Sequence, residues 1–193
     1  MEAACWCIGV ALILTYGLTR ADAEIVRSRD VARIEQLREP DFGSWSASRA
    51  RAYRARLNEA TGALLGVVAI PALRLEVPLY DDTSDLHLNR GAGLIEGMSR
   101  PGASGNVGIA GHRDGFFRVL RDVKPGETIE VRTPARLFRY RVSQVSVVPA
   151  GDARLLASTP RPVVTLVTCY PFYFVGNAPQ RFVVRGALIS TQE

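Results

Sequence analysis

Lysine is almost missing from this 193-residue chain: Lys124 is the only one, so arginine carries nearly all of the positive charge behind the formal +5. Cysteine is scarce too, and its odd total of three does not indicate a disulfide framework. Two of the three, Cys5 and Cys7, lie in an apolar N-terminal run, where a thiol behaves as a small hydrophobe, and no lipobox-like arrangement precedes them. No zinc spacing, helix-turn-helix pattern or aromatic RNA-binding motif accompanies the basic charge, which sets nucleic acid aside and leaves an anionic membrane surface or cell-envelope polymers. Gly91, Gly93 and Gly97 follow the spacing G-x-G-x-x-x-G without a surrounding βαβ pattern, so they read as turn glycines and not as a dinucleotide loop. Internal repeats are absent, and a hydrophobic content of 47% excludes disorder as the overall state.

What is present falls into three parts. Residues 1–19 hold an apolar run, 3–18, that reads as a membrane anchor, although a full span takes about 20 residues. A cleaved signal segment ending near Ala21-Asp22-Ala23 is the rival, without the usual positive n-region. The arginines that follow the run argue against export of the rest, but long domains cross largely regardless of charge. Residues 20–61 are polar, with Ile25, Val31, Ile34 and Leu37 at helical spacing, and read as a helical stalk broken near 40–48 before a second short helix at 47–59. From residue 62 to 193 short runs of Val, Ile, Leu and Tyr alternate with Pro, Gly and Asp, the pattern of an all-β barrel or sandwich. Strands are expected at 64–70, 73–80, 93–95, 106–112, 128–132, 137–148, 163–168 and 181–190, with helical turns at 83–88, 116–120 and 153–157.

Cys169 is the only cysteine outside the apolar segment, and it ends the β-branched run Thr165-Leu166-Val167-Thr168-Cys169 just ahead of Pro171. Twelve positions on, Arg181 opens a second apolar run. If the two runs pair antiparallel, thiol and guanidinium face each other about 4.5–5.5 Å apart at the backbone. An ordinary thiol is only slightly ionised at neutral pH and needs a neighbouring imidazolium to become a nucleophile. His112, at the end of an apolar run and before the turn Arg113-Asp114-Gly115, is the better placed of the two histidines. His87 has no acidic or thiol partner at ligand spacing and reads as a structural surface residue. Asp81, Asp82 and Asp85 read as a solvated turn with helix-capping duty.

Three segments, Gly105-Asn106-Val107-Gly108-Ile109-Ala110-Gly111-His112-Arg113, Thr165-Leu166-Val167-Thr168-Cys169 and Arg181-Phe182-Val183-Val184, together resemble the signature of the sortases. The likeness is greatest to the class D type, through Tyr170-Pro171-Phe172-Tyr173-Phe174-Val175-Gly176 and Ala178-Pro179-Gln180. The resemblance implies an eight-stranded sortase barrel with short helices, behind an N-terminal transmembrane helix and stalk, held on the outer side of the cell membrane. It implies a transpeptidase in which Cys169 attacks an LPxTG-like sorting signal after threonine, His112 protonates the leaving amine, and Arg181 holds substrate and stabilises the oxyanion. Thr168, Ala110 and Tyr170 become the expected substrate-contacting positions. The acyl acceptor would be an amine of a peptidoglycan precursor or a pilin lysine, and no cofactor or metal is expected. Leu94 stands where family members often carry histidine. Two alternatives remain: a cysteine hydrolase on the same scaffold, and a non-catalytic barrel that binds envelope polymers.

Overall fold

The computed structural model describes residues 2–36, 63–173 and 176–192. The second stalk helix expected at 47–59 lies outside the described residues.

Eight strands close into one barrel: β1 (Leu64–Ile70), β2 (Leu75–Tyr80), β3 (Ala92–Leu94), β4 (Asn106–Ala110), β5 (Thr128–Arg132), β6 (Leu137–Pro149), β7 (Val163–Tyr170) and β8 (Gln180–Gln192). Around the barrel they run β1-β2-β3-β4-β7-β8-β6-β5, with β5 closing onto β1. Alternation makes this possible. In β5 only Ile129 and Val131 are buried, and in β6 Phe138, Tyr140 and Val142, because successive side chains point to opposite faces of a strand. These inward residues join Val68, Ile70, Val77, Leu79, Val107, Ile109, Val164, Leu166 and Val184 in one core.

Four strands, β1, β2, β4 and β7, break the alternation because their outer faces are covered as well. A helix, α1 (Glu2–Gln36), lays Val31 and Ile34 against Leu64, Val67 and Tyr80 on the outside of β1 and β2, and Ile34 is 3% exposed. Arg27 on α1 donates to the Glu76 carbonyl at 2.7 Å, and the Tyr80 hydroxyl donates to the Asp30 carboxylate. On β4 and β7 the outward residues Asn106 and Thr165 are buried under the 3-10 turn Ala153–Leu156. Their polar groups are satisfied locally: Thr165 Oγ1 donates to Asn106 Oδ1 at 2.7 Å, and Asn106 Nδ2 donates to the carbonyls of Leu155 and Ala157 at 3.0 and 3.3 Å. Without those partners each buried group would cost about 1–3 kcal/mol.

Short helical pieces appear where the turns were expected, with shifted ends: α2 (Asp85–Arg90) and 3-10 turns at Phe116–Asp122 and Ala153–Leu156. The strand expected to begin at residue 73 begins at Leu75, because Pro71–Leu73 forms a 3-10 turn. Residues 111 and 112, expected within a strand, fall past the end of β4. Leu94 is buried in β3 and pairs with Ile109, so it belongs to the core.

The N-terminal apolar run is helical, but among the described residues no helix is long and apolar enough to cross a membrane. Its first half carries Trp6, Ile8, Leu12, Ile13, Leu14 and Leu18 exposed.

Candidate active site

The site forms where β7 ends between two neighbours. On one side β7 pairs antiparallel with β8, and Cys169 lies directly opposite Arg181, followed by Tyr170 opposite Gln180. On the other side β7 runs parallel to β4, with Ala110 beside Val167. Two further residues along each chain bring His112 level with Cys169. Adjacent strands are about 4.8 Å apart, so the imidazole and the guanidinium flank the thiol from opposite sides.

Beyond the last β4–β7 pair, two hydrogen bonds carry the alignment through Gly111. Its N–H donates to the Val167 carbonyl at 3.2 Å, and its own carbonyl accepts from Thr168 Oγ1 at 2.7 Å. Only glycine fits here, since a Cβ would stand 2.6 Å from the buried ring of Phe117. His112 thus emerges from a peptide fixed both to the neighbouring strand and to the core.

Cys169, His112 and Arg181 line one groove of about 410 Å³, together with Asn89, Arg113, Asp114 and residues 176–178. Cys169 is a free, partly exposed thiol. Arg181 Nη1 donates to the carbonyls of Ala178 and Gln180 at 3.1 and 3.0 Å, which fixes the fork in orientation. Its Nε–H and Nη2 donors have no protein partner among the described residues.

The other expected positions are placed differently. Thr168 is 2% exposed, its hydroxyl occupied by Gly111. Ala110 ends β4 against Gly93 and Val167. Tyr170 packs with Phe172 and Phe182, the ring centroids 5.8 and 6.2 Å away. None of the three lines the groove that holds Cys169.

Arg113, the last residue of the first signature segment, does more than open the turn after His112. Its guanidinium reaches across to the β7–β8 loop and donates to the carbonyls of Pro171 at 3.5 Å and Gly176 at 2.8 Å. Tyr173, farther along that loop, lies under the Arg118 guanidinium at 4.6 Å and hydrogen-bonds Arg121. The neighbouring arginines hold the Tyr173 phenol below its ordinary pKa, the hydrogen bond with Arg118 first. The adjacency of Arg113 to His112 was the available signal.

His87 does have an acidic partner, contrary to its reading from sequence. Nδ1 lies 2.7 Å from Asp82 Oδ1, five residues away, and the ring stacks on Tyr80 with centroids 4.3 Å apart. Asp82 Oδ1 also accepts from the Ser84 N–H at 2.8 Å, at the start of α2. Asp81, Asp82 and His87 cluster within ligand distance, two of them exposed carboxylates.

Residues 68–189 match the sortase domain family. The chain belongs to the sortase family. It is 28% identical to sortase D of Bacillus subtilis over 138 residues, covering 71% of this chain and 70% of that protein. Sortase C of Streptococcus pneumoniae superposes with a TM-score of 0.63 at 27% identity, over 88% of this chain and 89% of that one. The sortase D5 transpeptidase of Clostridium perfringens gives a TM-score of 0.68 over 86% and 99% of the two chains, and its 20% identity speaks for the fold alone. This sortase is accordingly a cysteine transpeptidase on an eight-stranded barrel, most like class D, and its family acts at the cell envelope.

Proposed function

We propose that this sortase cleaves an LPxTG-like sorting signal after threonine and passes the acyl group to an amine of the cell envelope, a peptidoglycan precursor or a pilin lysine. Cys169 Sγ attacks the threonine carbonyl, His112 donates a proton to the departing amine, and a thioester remains. The Arg181 donors not engaged by backbone carbonyls stabilise the oxyanion of each tetrahedral intermediate, a contribution of about 3–4 kcal/mol for one well-aimed donor. The amine acceptor then attacks the thioester and releases Cys169. One observation carries this reading: the three side chains converge on a single groove, with Arg181 cross-strand from Cys169 and His112 on the opposite flank.

The same reading makes residues 62–193 the catalytic unit, 20–61 a connection and 1–19 the attachment to the membrane. The apolar run of 3–18 spans about 24 Å as a helix, roughly 6 Å less than the hydrocarbon layer. Local thinning of the bilayer accommodates a deficit of that size at modest cost. The barrel then sits on the extracytoplasmic side.

The full chain incubated with an LPxTG peptide and hydroxylamine should yield the threonine hydroxamate, and mass spectrometry should find an acyl adduct on Cys169. Cys169→Ala should abolish both. Cleavage undiminished in that variant would refute the mechanism, and cleavage yielding free acid even with excess amine would make the protein a hydrolase.

A further inference from the structure

The catalytic groove has a histidine flank and an arginine flank, and a second arginine ties the two together. Arg113, the residue after His112, lines the groove and donates to the Gly176 carbonyl at 2.8 Å and to the Pro171 carbonyl at 3.5 Å. Two residues beyond Gly176, a reach of at most about 7 Å along the chain, the Ala178 carbonyl accepts from Arg181 Nη1 at 3.1 Å. Gly176, Asn177 and Ala178 line the groove along that path.

We propose that Arg113 is a positioning residue for Arg181, acting through the backbone of Gly176 and Ala178. The inference rests on the transpeptidase reading above and adds to it how the oxyanion donors are aimed. Arg181 needs the support because only one of its two carbonyl acceptors is built into the barrel. Gln180 pairs with Tyr170 on β7 and with Pro149 on β6. Ala178 belongs to the β7–β8 loop. On one side of it the Pro179 carbonyl accepts from the Ala150 N–H at 3.1 Å, and on the other Gly176 is held by Arg113.

Both carbonyls bind the same nitrogen of Arg181, so a displaced Ala178 leaves Nη1 with one acceptor and frees the guanidinium plane to turn. The Nε–H and Nη2 donors then lose their aim at the oxyanion. Arg113 suits the task chemically. It stays charged at any working pH, and its planar fork meets the Pro171 and Gly176 carbonyls from separate nitrogens, which the single nitrogen of a lysine does not reproduce. The loop has another fastening at Tyr173, which lies under Arg118 and bonds Arg121. That contact precedes Gly176 and its loss leaves the path from Arg113 to Ala178 in place, so it serves as a control.

The test is a double-mutant cycle on the full chain, with cleavage of an LPxTG peptide followed over a range of substrate concentrations. Arg113→Ala should lower kcat about tenfold with KM little changed, part of the roughly 100–1000-fold that a lost oxyanion donor costs. In an Arg181→Ala background nothing is left to aim, and the same change should cost less than about twofold, since residues that act as one unit are not additive. Gly176→Ala approaches the link from the loop end. Its φ of +97° is strained for any side chain, and nothing lies within 4 Å of the added Cβ, so the backbone alone shifts. It should reproduce the loss of kcat, and it carries the cycle if Arg113→Ala fails to fold. Tyr173→Ala should leave kcat almost unchanged.

Equal losses with and without Arg181 would overturn the positioning role and leave the transpeptidase reading standing. A raised KM at unchanged kcat would overturn it as well, making Arg113 a direct contact of the peptide. So would a loss in Tyr173→Ala as large as in Arg113→Ala, because any loosening of the loop would then suffice. A wild-type chain unable to cleave the peptide would remove both readings together.

Discussion

Thr168→Val tests whether the alignment of His112 with Cys169 depends on one buried hydroxyl. Valine is close to isosteric with threonine, so the change removes the hydroxyl while nearly preserving volume. In the wild type that hydroxyl gives a 2.7 Å hydrogen bond to the Gly111 carbonyl from a residue 2% exposed. Its loss leaves a buried acceptor without that donor, a cost of about 2 kcal/mol, which lowers Tm by roughly 4–8 °C in a chain of this length. The catalytic effect should be larger than the loss of stability suggests. Gly111 is the peptide from which His112 emerges, and a shift of about 1 Å in a catalytic group can cost about 100-fold. We therefore expect kcat on an LPxTG peptide to fall about 10–100-fold with KM little changed, measured where both proteins are fully folded. Thr168→Ser retains the hydroxyl and should recover most of the rate. A Val variant with wild-type Tm and kcat would refute the reasoning outright. A raised KM at unchanged kcat would instead return Thr168 to direct substrate contact, and a Ser variant as poor as Val would transfer the effect to the methyl group.

Gly111→Ala should be harmful through packing, because its Cβ would stand 2.6 Å from the buried Phe117 ring; about 1–3 kcal/mol of stability and most of the turnover should be lost, and denaturant unfolding beside wild type checks it. Asp82→Asn addresses the start of α2 through pH: the Ser84 backbone N–H and side chain, then His87, hold the Asp82 carboxyl at about 2, below its ordinary value of 3.8. A carboxylate depressed in the folded state contributes stability above its unfolded pKa and loses it as pH falls through the folded one. The Tm gap between wild type and the variant should therefore be open at pH 6 and close as pH falls from about 4 to 2, and a gap constant over that range would show that the charge of Asp82 is immaterial.

The two flanks of the candidate site were legible in the sequence to different degrees, for a physical reason. Cys169 and Arg181 belong to one antiparallel pair, and every partner pair from Val163↔Ala187 to Tyr170↔Gln180 is centred on the same loop position. A local fold-back therefore fixes their meeting, and the spacing of two apolar runs suffices to anticipate it. His112 comes from β4, and its place beside Cys169 depends on a parallel pairing between strands more than fifty residues apart. No periodicity in either segment encodes that neighbour; the thiol's need for an imidazolium and the place of His112 before a turn singled the residue out, and the resemblance to sortases joined the two. The packing of α1 on the barrel and the reach of Arg113 to Gly176 escaped for the same reason, since each joins elements far apart in the sequence, whereas the His87–Asp82 contact spans only five residues and depends on how the turn before α2 folds back. What the parallel pair lacks in local signal it gains in polar fastening. A slip of one residue between β4 and β7 would move His112 level with Thr168 or Tyr170, and it would break the Thr165–Asn106 bond at one end and the Thr168–Gly111 bond at the other. Those two buried hydrogen bonds therefore hold the register at both ends of the pair, so the same threonine hydroxyls that satisfy the strand faces also decide where the proton donor stands.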